Sequence, residues 1–252
     1  MSAKRIFIFD VIRSAFGWFM VGVWTILLFP PVALGALILF PFDRDRKRIH
    51  PLISLWAKAI LVTCPLMRVR FEGTEQLKPG ETYVLVANHQ SIADIVAVLH
   101  LSHPFKFIAK RELFWIPVFG WALSSAGYIP LIRGDQKSGK EAVLKAKGCL
   151  ERGVSVLLFP EGTRSRDGDI HDFKIGAFKL ASEVGVPVVP IVIDGTWNLI
   201  PKGRRLLGER SEVTVHLGAP QRAIGNNGPM IEAFSKRIRS EMVATLNQIR
   251  CS

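Results

Sequence analysis

Short apolar runs alternate with helical segments from about residue 68 onward, and no other feature limits the fold of this chain as strongly. Such runs are typical of strands buried on both faces, and intervening helical segments favour parallel pairing. We therefore predict an α/β fold with a mixed, mostly parallel sheet covered by helices on both faces. The predicted strands are 83–87, 105–109, 128–132, 154–159, 186–193 and 213–217, and the predicted helices are 92–100, 140–151, 177–183 and 230–249.

The N-terminal part of the chain contains an uncharged stretch, residues 14–42, that is long enough to cross a bilayer core about 30 Å thick. Pro30 and Pro31 interrupt it, and basic residues flank it at both ends, so the charge distribution does not select an orientation. We predict a helical hairpin that enters one leaflet and returns, with the prolines near its turn. A single membrane span is the alternative. A second, less apolar helical segment follows at 51–69.

The composition favours an anionic membrane surface as a partner. Hydrophobic residues make up 49% of the chain and mean hydropathy is +0.26, yet Lys and Arg outnumber Asp and Glu by 33 to 21, giving a net charge of +12. A chain that is both apolar and basic suits an anionic leaflet, where each basic residue contributes about 1 kcal/mol, better than it suits nucleic acid. A generic basic surface is the alternative. We predict a membrane-docking helical motif at residues 1–65, a second domain at 66–252, and a position on the cytoplasmic face of the inner membrane.

The cysteines support the same location. Cys64, Cys149 and Cys251 lie far apart, and they have neither the pairing of a disulfide framework nor the spacing of a zinc site. This usage is typical of proteins in a reducing compartment, so we expect free thiols and no metal.

The segment NHQSIAD, residues 88–94, stands between a predicted strand and a predicted helix. Ser91 and Asp94 have the spacing of a capping box, so one interpretation makes Asp94 a helix cap and His89 an ordinary loop histidine. In the other, Asp94 in the first helical turn reaches back to His89, holds one imidazole nitrogen and directs the other as a base. The chain offers no G-x-S-x-G nucleophile elbow, so such a base would act directly on a substrate hydroxyl.

Charged residues follow two other predicted strands. The segment FPEGTRS, residues 159–165, places Glu161 and Arg164 on a turn, and Arg133 ends another strand. The simpler interpretation is an ordinary surface turn with a local ion pair. In the alternative, Glu161 binds polyol hydroxyls and the planar guanidinium of Arg164 binds phosphate. In a parallel sheet these strand ends and His89 would meet at one edge, where such sheets bind ligands.

These segments, in this order, resemble the glycerophospholipid acyltransferase family, and within it the 1-acyl-sn-glycerol-3-phosphate acyltransferases. The blocks at 88–94 and 159–165 are specific, whereas the block at 127–133 is matched loosely because Pro130 stands where an apolar residue is expected. The matching blocks are N-H-x-x-x-x-D at 88–94, a glycine-led strand ending in Arg at 127–133, F-P-E-G-T-R-S at 159–165 and V-P-x-apolar-P at 186–190.

The resemblance implies an O-acyltransferase of phospholipid biosynthesis that needs no metal or other cofactor. His89, oriented by Asp94, would take the proton from the sn-2 hydroxyl of a lysophosphatidic acid. The alkoxide would then attack the thioester of acyl-CoA or acyl-carrier protein, giving phosphatidic acid and a free thiol. The residues that the resemblance assigns to binding the glycerol phosphate are Glu161, Gly162, Thr163, Arg164, Arg133 and Lys110.

Two alternatives remain open from the sequence. The acceptor could be glycerol 3-phosphate or another lysophospholipid. The chain could also be a non-catalytic lipid-binding protein that keeps the fold, although such a protein could lose His89 or Asp94 without losing its structure, and both are retained.

Overall fold

The computed structural model describes residues 3–64, 66–200, 202–204 and 206–251, and its strands form one seven-stranded sheet. The strands are β1 (Met67–Glu72), β2 (Val84–Ala87), β3 (Phe105–Lys110), β4 (Ile129–Leu131), β5 (Ser155–Leu158), β6 (Val188–Asp194) and β7 (Ser211–Leu217). Their spatial order is β1-β7-β6-β2-β5-β3-β4, and all neighbours are parallel except β6 and β7. The predicted mixed, mostly parallel sheet is therefore confirmed.

Helices cover both faces of this sheet, as predicted. They are α1 (Ala3–Ile38), α2 (His50–Thr63), α3 (Ala93–Val98), α4 (Phe119–Ser125), α5 (Gln136–Glu151), α6 (Gly176–Val184), α7 (Thr196–Leu199) and α8 (Gly228–Cys251). Successive residues of a strand point to opposite faces, so β2 divides its side chains between two cores. Leu85 and Ala87 pack in the core with α1 to α4, and Val84 and Val86 pack in the core with α5, α6 and α8.

The N-terminal motif is a pair of packed helices, but its turn is not where the sequence placed it. The helix α1 runs without interruption through Pro30 and Pro31, and the chain turns in residues 39–49 instead. The prolines remove two backbone donors. The helix continues past them because buried Val32 and Ala36 pack it against the body of the protein.

The turn between α1 and α2 is fixed by Asp43, whose carboxylate accepts hydrogen bonds from the backbone N–H groups of Lys47 (3.0 Å) and Arg48 (2.7 Å). The two helices then pack side by side, and indole-to-hydroxyl hydrogen bonds join Trp24 to Thr63 (3.0 Å) and Trp56 to Thr25 (3.1 Å). The position predicted for the turn was wrong because packing carries the first helix past its prolines to Ile38, and Asp43 shapes the turn that follows.

The outer surface of α1 is apolar. Within α1, the stretch Ile8–Ile38 is long and apolar enough to cross a bilayer, with a mean hydropathy of 2.1, and only 17% of its most apolar window is buried. Its large exposed side chains include Phe9, Ile12, Phe19, Ile26, Leu27 and Leu37. Helix length and composition are thus compatible with a membrane-associated segment.

The parallel strands β6, β2, β5, β3 and β4 end at the same edge of the sheet. Four predicted site segments follow these strands, since NHQSIAD follows β2, FPEGTRS follows β5, Lys110 ends β3 and Arg133 follows β4. Because β2 and β5 are direct neighbours, the first two segments are expected to touch.

Candidate active site

The loop that follows β2, residues 88–92 and called here the His89 loop, is locked in place by its own side chains. Asn88 continues the pairing of β2 with β6 through its amide group, which donates to the carbonyl of Ile193 (2.8 Å) and accepts from its N–H (2.7 Å). Gln90 donates to the carbonyl of Gly168 (2.8 Å), and Ser91 donates to that of Ile200 (2.9 Å). The loop therefore leaves the strand in one fixed direction.

Asp94 holds His89. Its Oδ2 lies 2.7 Å from Nδ1 of His89 and also accepts from the backbone N–H groups of Gln90 and Ser91, both at 2.9 Å. Its other oxygen accepts from the hydroxyl of Thr196, and the side chain is fully buried. An ionised carboxylate can only accept, so Nδ1 carries a proton, and in the neutral imidazole Nε2 therefore keeps its lone pair. Asp94 thus has the cap contacts and the histidine contact that the sequence offered as alternatives.

The turn that follows β5, residues 159–165 and called here the Glu161 turn, supports His89 from the other side. The Phe159 ring stacks on the imidazole, with centroids 4.1 Å apart. The backbone N–H of His89 donates to Glu161 (2.9 Å), and the carbonyl of His89 accepts from the N–H of Ser165 (2.7 Å). The ring of His89 is thereby held between a carboxylate and an aromatic face, and the described residues offer Nε2 no hydrogen-bond partner.

Glu161 itself is nearly buried. Burial raises the pKa of this carboxyl above its ordinary value, and hydrogen bonds from the backbone N–H groups of His89 and His171 oppose that rise. Both carboxylate oxygens are engaged by the backbone, so the contacts of Glu161 are those of a group that positions the two loops. A direct contact between Glu161 and a substrate hydroxyl stays a prediction.

Cationic side chains surround the exposed part of the Glu161 turn. Arg164 is half-buried, and its guanidinium has no hydrogen-bond partner among the residues that the structure describes. Lys202 donates to the hydroxyl of Thr163 (2.8 Å). Gly162 adopts a left-handed backbone (φ +72°), and a side chain there would crowd the ammonium of Lys174. The turn is therefore shaped so that positive charge gathers at its surface, which suits an anion such as phosphate.

Lys110 and Arg133 lie on the same edge of the sheet but farther along it. Lys110 ends β3, one strand away from β5, and forms an exposed ion pair with Glu112 (2.9 Å). Arg133 is exposed after β4, two strands away, and its charge also acts on Glu112. The structure brings together His89, Asp94 and the Glu161 turn, whereas these two cations stand at the periphery, so their contact with substrate stays a prediction.

An apolar cavity of about 490 Å³ opens beside the His89 loop. It lies between the N-terminal helices and the domain, with walls from α1, α2, α3, Leu113 and residues 116–119. Ile92 and Ala93, which line it, follow His89 by three and four residues, so one loop leads from the base to the cavity wall. A cavity of this size falls within the range of ligand sites, and its lining suits a hydrocarbon chain.

Several contacts at the site had no signal in the sequence. Thr196, on α7, lies 102 residues from Asp94 in the sequence. Lys202, in the loop beyond α7, lies 39 residues from Thr163. Phe159 was recognised only as part of a block, and its stacking on His89 becomes visible only when β2 and β5 are adjacent. No group of three or more His, Cys, Asp or Glu side chains suited to a metal ion occurs in the described ranges.

Fold and site together define a class of protein: an α/β domain that holds an imidazole by a carboxylate beside a cationic turn, with an apolar cavity lined by the residues that follow the imidazole. Such a site suits a substrate that has an acidic head, a hydroxyl and a hydrocarbon tail. Comparison with known proteins gives the family. The model of the acyltransferase family matches residues 68–194, half of this chain. The chain belongs to this acyltransferase family, as its motifs predicted.

Known relatives of this chain are named for one activity. A chloroplastic 1-acyl-sn-glycerol-3-phosphate acyltransferase of Brassica napus is 39% identical over 201 residues, covering 79% of this chain and 58% of the relative. The human 1-acyl-sn-glycerol-3-phosphate acyltransferase alpha is 35% identical over 188 residues, covering 73% and 65%. The chain spans about three fifths of the length of the plant and algal relatives.

A solved structure covers the whole fold. The crystal structure of the 1-acyl-sn-glycerophosphate (LPA) acyltransferase PlsC of Thermotoga maritima matches with a TM-score of 0.84 at 28% identity, covering 97% of this chain and 98% of that one. The N-terminal helix pair and the sheet domain therefore have a counterpart in a single known structure.

Proposed function

We propose that this chain transfers a fatty acyl group from an acyl thioester to the sn-2 hydroxyl of 1-acyl-sn-glycerol 3-phosphate, giving phosphatidic acid. The observation that carries the proposal is the His89–Asp94 pair, 2.7 Å apart, in a loop whose next residues, Ile92 and Ala93, line an apolar cavity. The names of the relatives and of the structural neighbour support the same acceptor. These names specify the acceptor and not the thioester carrier, so the proposed donor is either acyl-CoA or acyl-carrier protein.

The base step follows from the tautomer. Nε2 of His89 accepts the proton of the acceptor hydroxyl while Asp94 stabilises the positive charge that forms on the ring. The resulting oxygen nucleophile attacks the thioester carbonyl, and collapse of the tetrahedral intermediate breaks the C–S bond. The imidazolium returns its proton to the departing thiolate, so His89 ends the cycle neutral. No side chain of the protein is acylated in this scheme.

Binding uses the two surroundings of the base. We assign the acceptor phosphate to Arg164 and its neighbours on the Glu161 turn, because a guanidinium that no described residue engages can offer two parallel hydrogen bonds to phosphate oxygens. Lys110 and Arg133 would add attraction for an anionic substrate from farther along the edge. We assign a hydrocarbon chain to the apolar cavity. In this arrangement the hydroxyl lies between head and tail, where Nε2 can reach it.

An acceptor screen tests the proposal. Purified full-length protein is given labelled acyl-CoA or acyl-carrier protein together with 1-acyl-sn-glycerol 3-phosphate, glycerol 3-phosphate or a neutral lysophospholipid, with His89→Ala as the inactive reference. We expect turnover with 1-acyl-sn-glycerol 3-phosphate and one or both donors. Turnover only with another acceptor would replace the proposed substrate. Binding of lysolipid with no transfer to any acceptor would make the chain a lipid-binding protein.

We further propose that α1 and α2 dock the chain on the cytoplasmic face of the inner membrane as a hairpin that does not cross it. Support comes from the exposed apolar surface of α1, from the turn at residues 39–49 and from the net charge of +12. The acceptor and the product both prefer the bilayer, so an active site at its surface avoids extracting them.

The docking proposal is tested by labelling. The native cysteines, Cys64, Cys149 and Cys251, are replaced by alanine, and single reporters are introduced as Ala3→Cys or Arg44→Cys. A membrane-impermeant thiol reagent is added to sealed inner-membrane vesicles of either orientation. For a hairpin, both reporters react from the cytoplasmic side only. Labelling from opposite sides would establish a span and overturn the hairpin.

A further inference from the structure

The loop between β3 and α4 forms a compact turn whose construction the proposed reaction does not explain. We call residues 114–121 the aromatic turn. Its two ends touch, because the Cα of Gly120 lies against the carbonyl of Phe114, where a Cβ would come within 2.1 Å of the oxygen. The N–H of Gly120 also donates to the carbonyl of Ile116 (2.7 Å). Only glycine permits this close approach, so the segment is a closed, compact turn rather than an extended loop.

The tip of the aromatic turn adopts a rare backbone conformation. Val118 has φ +64° and ψ −54°, and the N–H of Phe119 donates to the carbonyl of Pro117 (2.7 Å). This is a γ-turn with positive φ, which is strained, and a β-branched residue seldom occupies it. Such conformations persist only where the surrounding structure fixes them, and they concentrate at functional positions. The turn therefore holds its shape for a reason other than chain connection.

What the aromatic turn presents to the outside is apolar. Trp115 is 69% exposed, Trp121 is 55% exposed and Ile116 is 46% exposed. The guanidinium of Arg111 lies 5.9 Å from the ring centre of Trp115. Exposed aromatic side chains contribute little to stability by burial in the protein core. Indole rings beside a cation favour the headgroup region of a bilayer.

The aromatic turn lies next to α1. The rings of Trp121 and Phe29 are 5.9 Å apart, and residues 116–119 line the apolar cavity together with Val21 and Ile26 of α1. The exposed apolar surface of α1 thus continues across this contact onto the sheet domain. The opposite side of the sheet, covered by α5, α6 and α8, is separate from this surface.

We propose that the aromatic turn is a second membrane-contact surface, one that belongs to the sheet domain and sits in the headgroup region of the leaflet on which α1 docks. The proposal rests on the docking of α1 proposed above. Two contacts, α1 and the aromatic turn, lie on either side of the apolar cavity. Together they fix the tilt of the domain, so that the mouth of the cavity and His89 face the lipid surface. A single helical anchor would leave the domain free to swing.

Fluorescence quenching measures this contact directly in the full chain. The protein is bound to phosphatidylglycerol vesicles whose acyl chains are brominated near the headgroups. Bromine quenches the fluorescence of nearby tryptophans, and the difference in quenching between wild type and Trp115→Phe is the part that comes from Trp115. Trp18→Phe reports on α1, and Trp197→Phe, whose indole donates to the carbonyl of Arg166, is the control on the sheet domain. We expect Trp18 and Trp115 to be quenched and Trp197 to be spared.

The quenching outcomes separate the two proposals. If Trp18 is quenched and Trp115 is not, α1 docks and the aromatic turn does not, so the present inference is wrong while docking stands. If neither is quenched, docking fails with it. Quenching of Trp115 to the same extent as Trp197 would mean that bromine reaches the whole domain, and it would also overturn the inference.

Activity supplies the second measurement. Trp115→Ala should lower partitioning onto vesicles by about tenfold, because roughly half of an indole leaves the interface. Turnover of acceptor embedded in vesicles should fall with it, while turnover of acceptor in detergent micelles stays unchanged. Leu144→Ala is the matched control, since Leu144 is 67% exposed on α5, across the sheet. An equal loss in micelles would make Trp115 a site residue, and equal behaviour of the two variants would remove its membrane role.

Discussion

The His89 loop and the Glu161 turn touch each other, yet they differ in whether their charged side chains have hydrogen-bond partners within the protein. At the His89 loop, the carboxylate of Asp94 from α3 accepts from four donors, and the ring of His89 has one nitrogen bound and one without a partner among the described residues. In the Glu161 turn the buried carboxylate is bound by the backbone, whereas Arg164 has no protein partner within the described residues.

This difference separates chemistry from recognition. A base must be aimed before the substrate arrives, because its orientation is part of the barrier it lowers. A phosphate-binding cation gains from keeping its hydrogen-bonding capacity for the ligand. The contacts of the two loops therefore predict that substitutions in the first lower turnover, whereas substitutions in the second weaken acceptor binding. Four substitutions test that division.

His89→Ala should have the largest effect. Loss of a general base costs about 10²–10⁴-fold in turnover, and no other described group holds a free base next to the cavity. The KM for the acceptor should change little. The measurement is kcat in detergent micelles, with His216→Ala, a partly exposed histidine on β7, as the control. A folded His89→Ala protein with near-normal turnover would defeat the mechanism.

Asp94→Asn should reduce turnover less than His89→Ala, by about 10²-fold, since removal of the orienting acid of a triad costs less than removal of the base. The asparagine can keep the shape of the loop. Its oxygen can accept from the three donors that now bind Oδ2, and its NH₂ can face the hydroxyl of Thr196, which can turn to accept. What disappears is the charge that stabilises the imidazolium.

The control for Asp94→Asn is its melting temperature. A small change in Tm with a large change in kcat is the expected result. The reverse, a large fall in Tm with turnover preserved, would show that Asp94 only caps the first turn of α3, and the comparison between the two loops would lose its chemical half.

Arg164→Ala should raise the KM for the phosphate-bearing acceptor. Loss of a charge-assisted hydrogen bond costs about 1.5–3 kcal/mol, or roughly 10- to 150-fold, with a smaller effect on kcat and on the KM for the acyl donor. Arg164→Lys should recover only part of the loss, because an ammonium cannot form two parallel hydrogen bonds. Arg237→Ala on α8 removes the same charge elsewhere. A raised donor KM with an unchanged acceptor KM would assign Arg164 to the thioester carrier instead.

The sequence predicted the sheet and most of its helices because these depend on local patterns. Strands β2 to β7 and helices α3, α5, α6 and α8 were each located to within a few residues. The spacing in NHQSIAD offered the contact of Asp94 with His89 as one of two interpretations, and the structure contains that contact. Strand β1 was missed because charged residues alternate along it, as Arg68 and Arg70 do, and it lies at the edge of the sheet.

Other features were not predictable because they depend on which strands become neighbours. The stacking of Phe159 on His89 requires β5 beside β2, and the hydrogen bond of Thr196 to Asp94 requires α7 to fold back over α3. Helix α4 and the preceding 3-10 turn (Arg111–Trp115) were missed because Pro117 lies between them and Gly120 lies in the first turn of α4, a pattern typical of a loop. The turn of the N-terminal hairpin was misplaced because tertiary packing overrides the cost of Pro30 and Pro31.

The smallest expected effect concerns what supports the Glu161 turn from behind. Asp167 accepts from the hydroxyl of Ser165 (2.7 Å) and the N–H of Asp169 (3.0 Å), and it lies 3.0 Å from Nε2 of His171. The Ser165 hydrogen bond is the main reason that the pKa of Asp167 falls from its ordinary value near 4 to about 2. A carboxyl with a depressed pKa stabilises the fold above its unfolded pKa, and that contribution is lost as the pH falls from about 4 towards 2.

Asp167→Asn tests whether this support matters. Because the side chain is 54% exposed, solvent screens the interaction, and we expect Tm to fall by only about 1–2 °C at pH 6. The difference from wild type should shrink below pH 4, where the wild-type carboxylate becomes protonated. Asp172→Asn, which removes the same charge from a fully exposed position, is the control. Thermal unfolding of both variants and wild type at pH 3, 4, 5 and 6 supplies the measurement. A Tm difference that does not vary with pH would mean that the shape of the side chain, rather than its charge, holds the loop behind the Glu161 turn. The Glu161 turn would then be held by fixed hydrogen bonds, as the His89 loop is, although its surface cations lack such contacts.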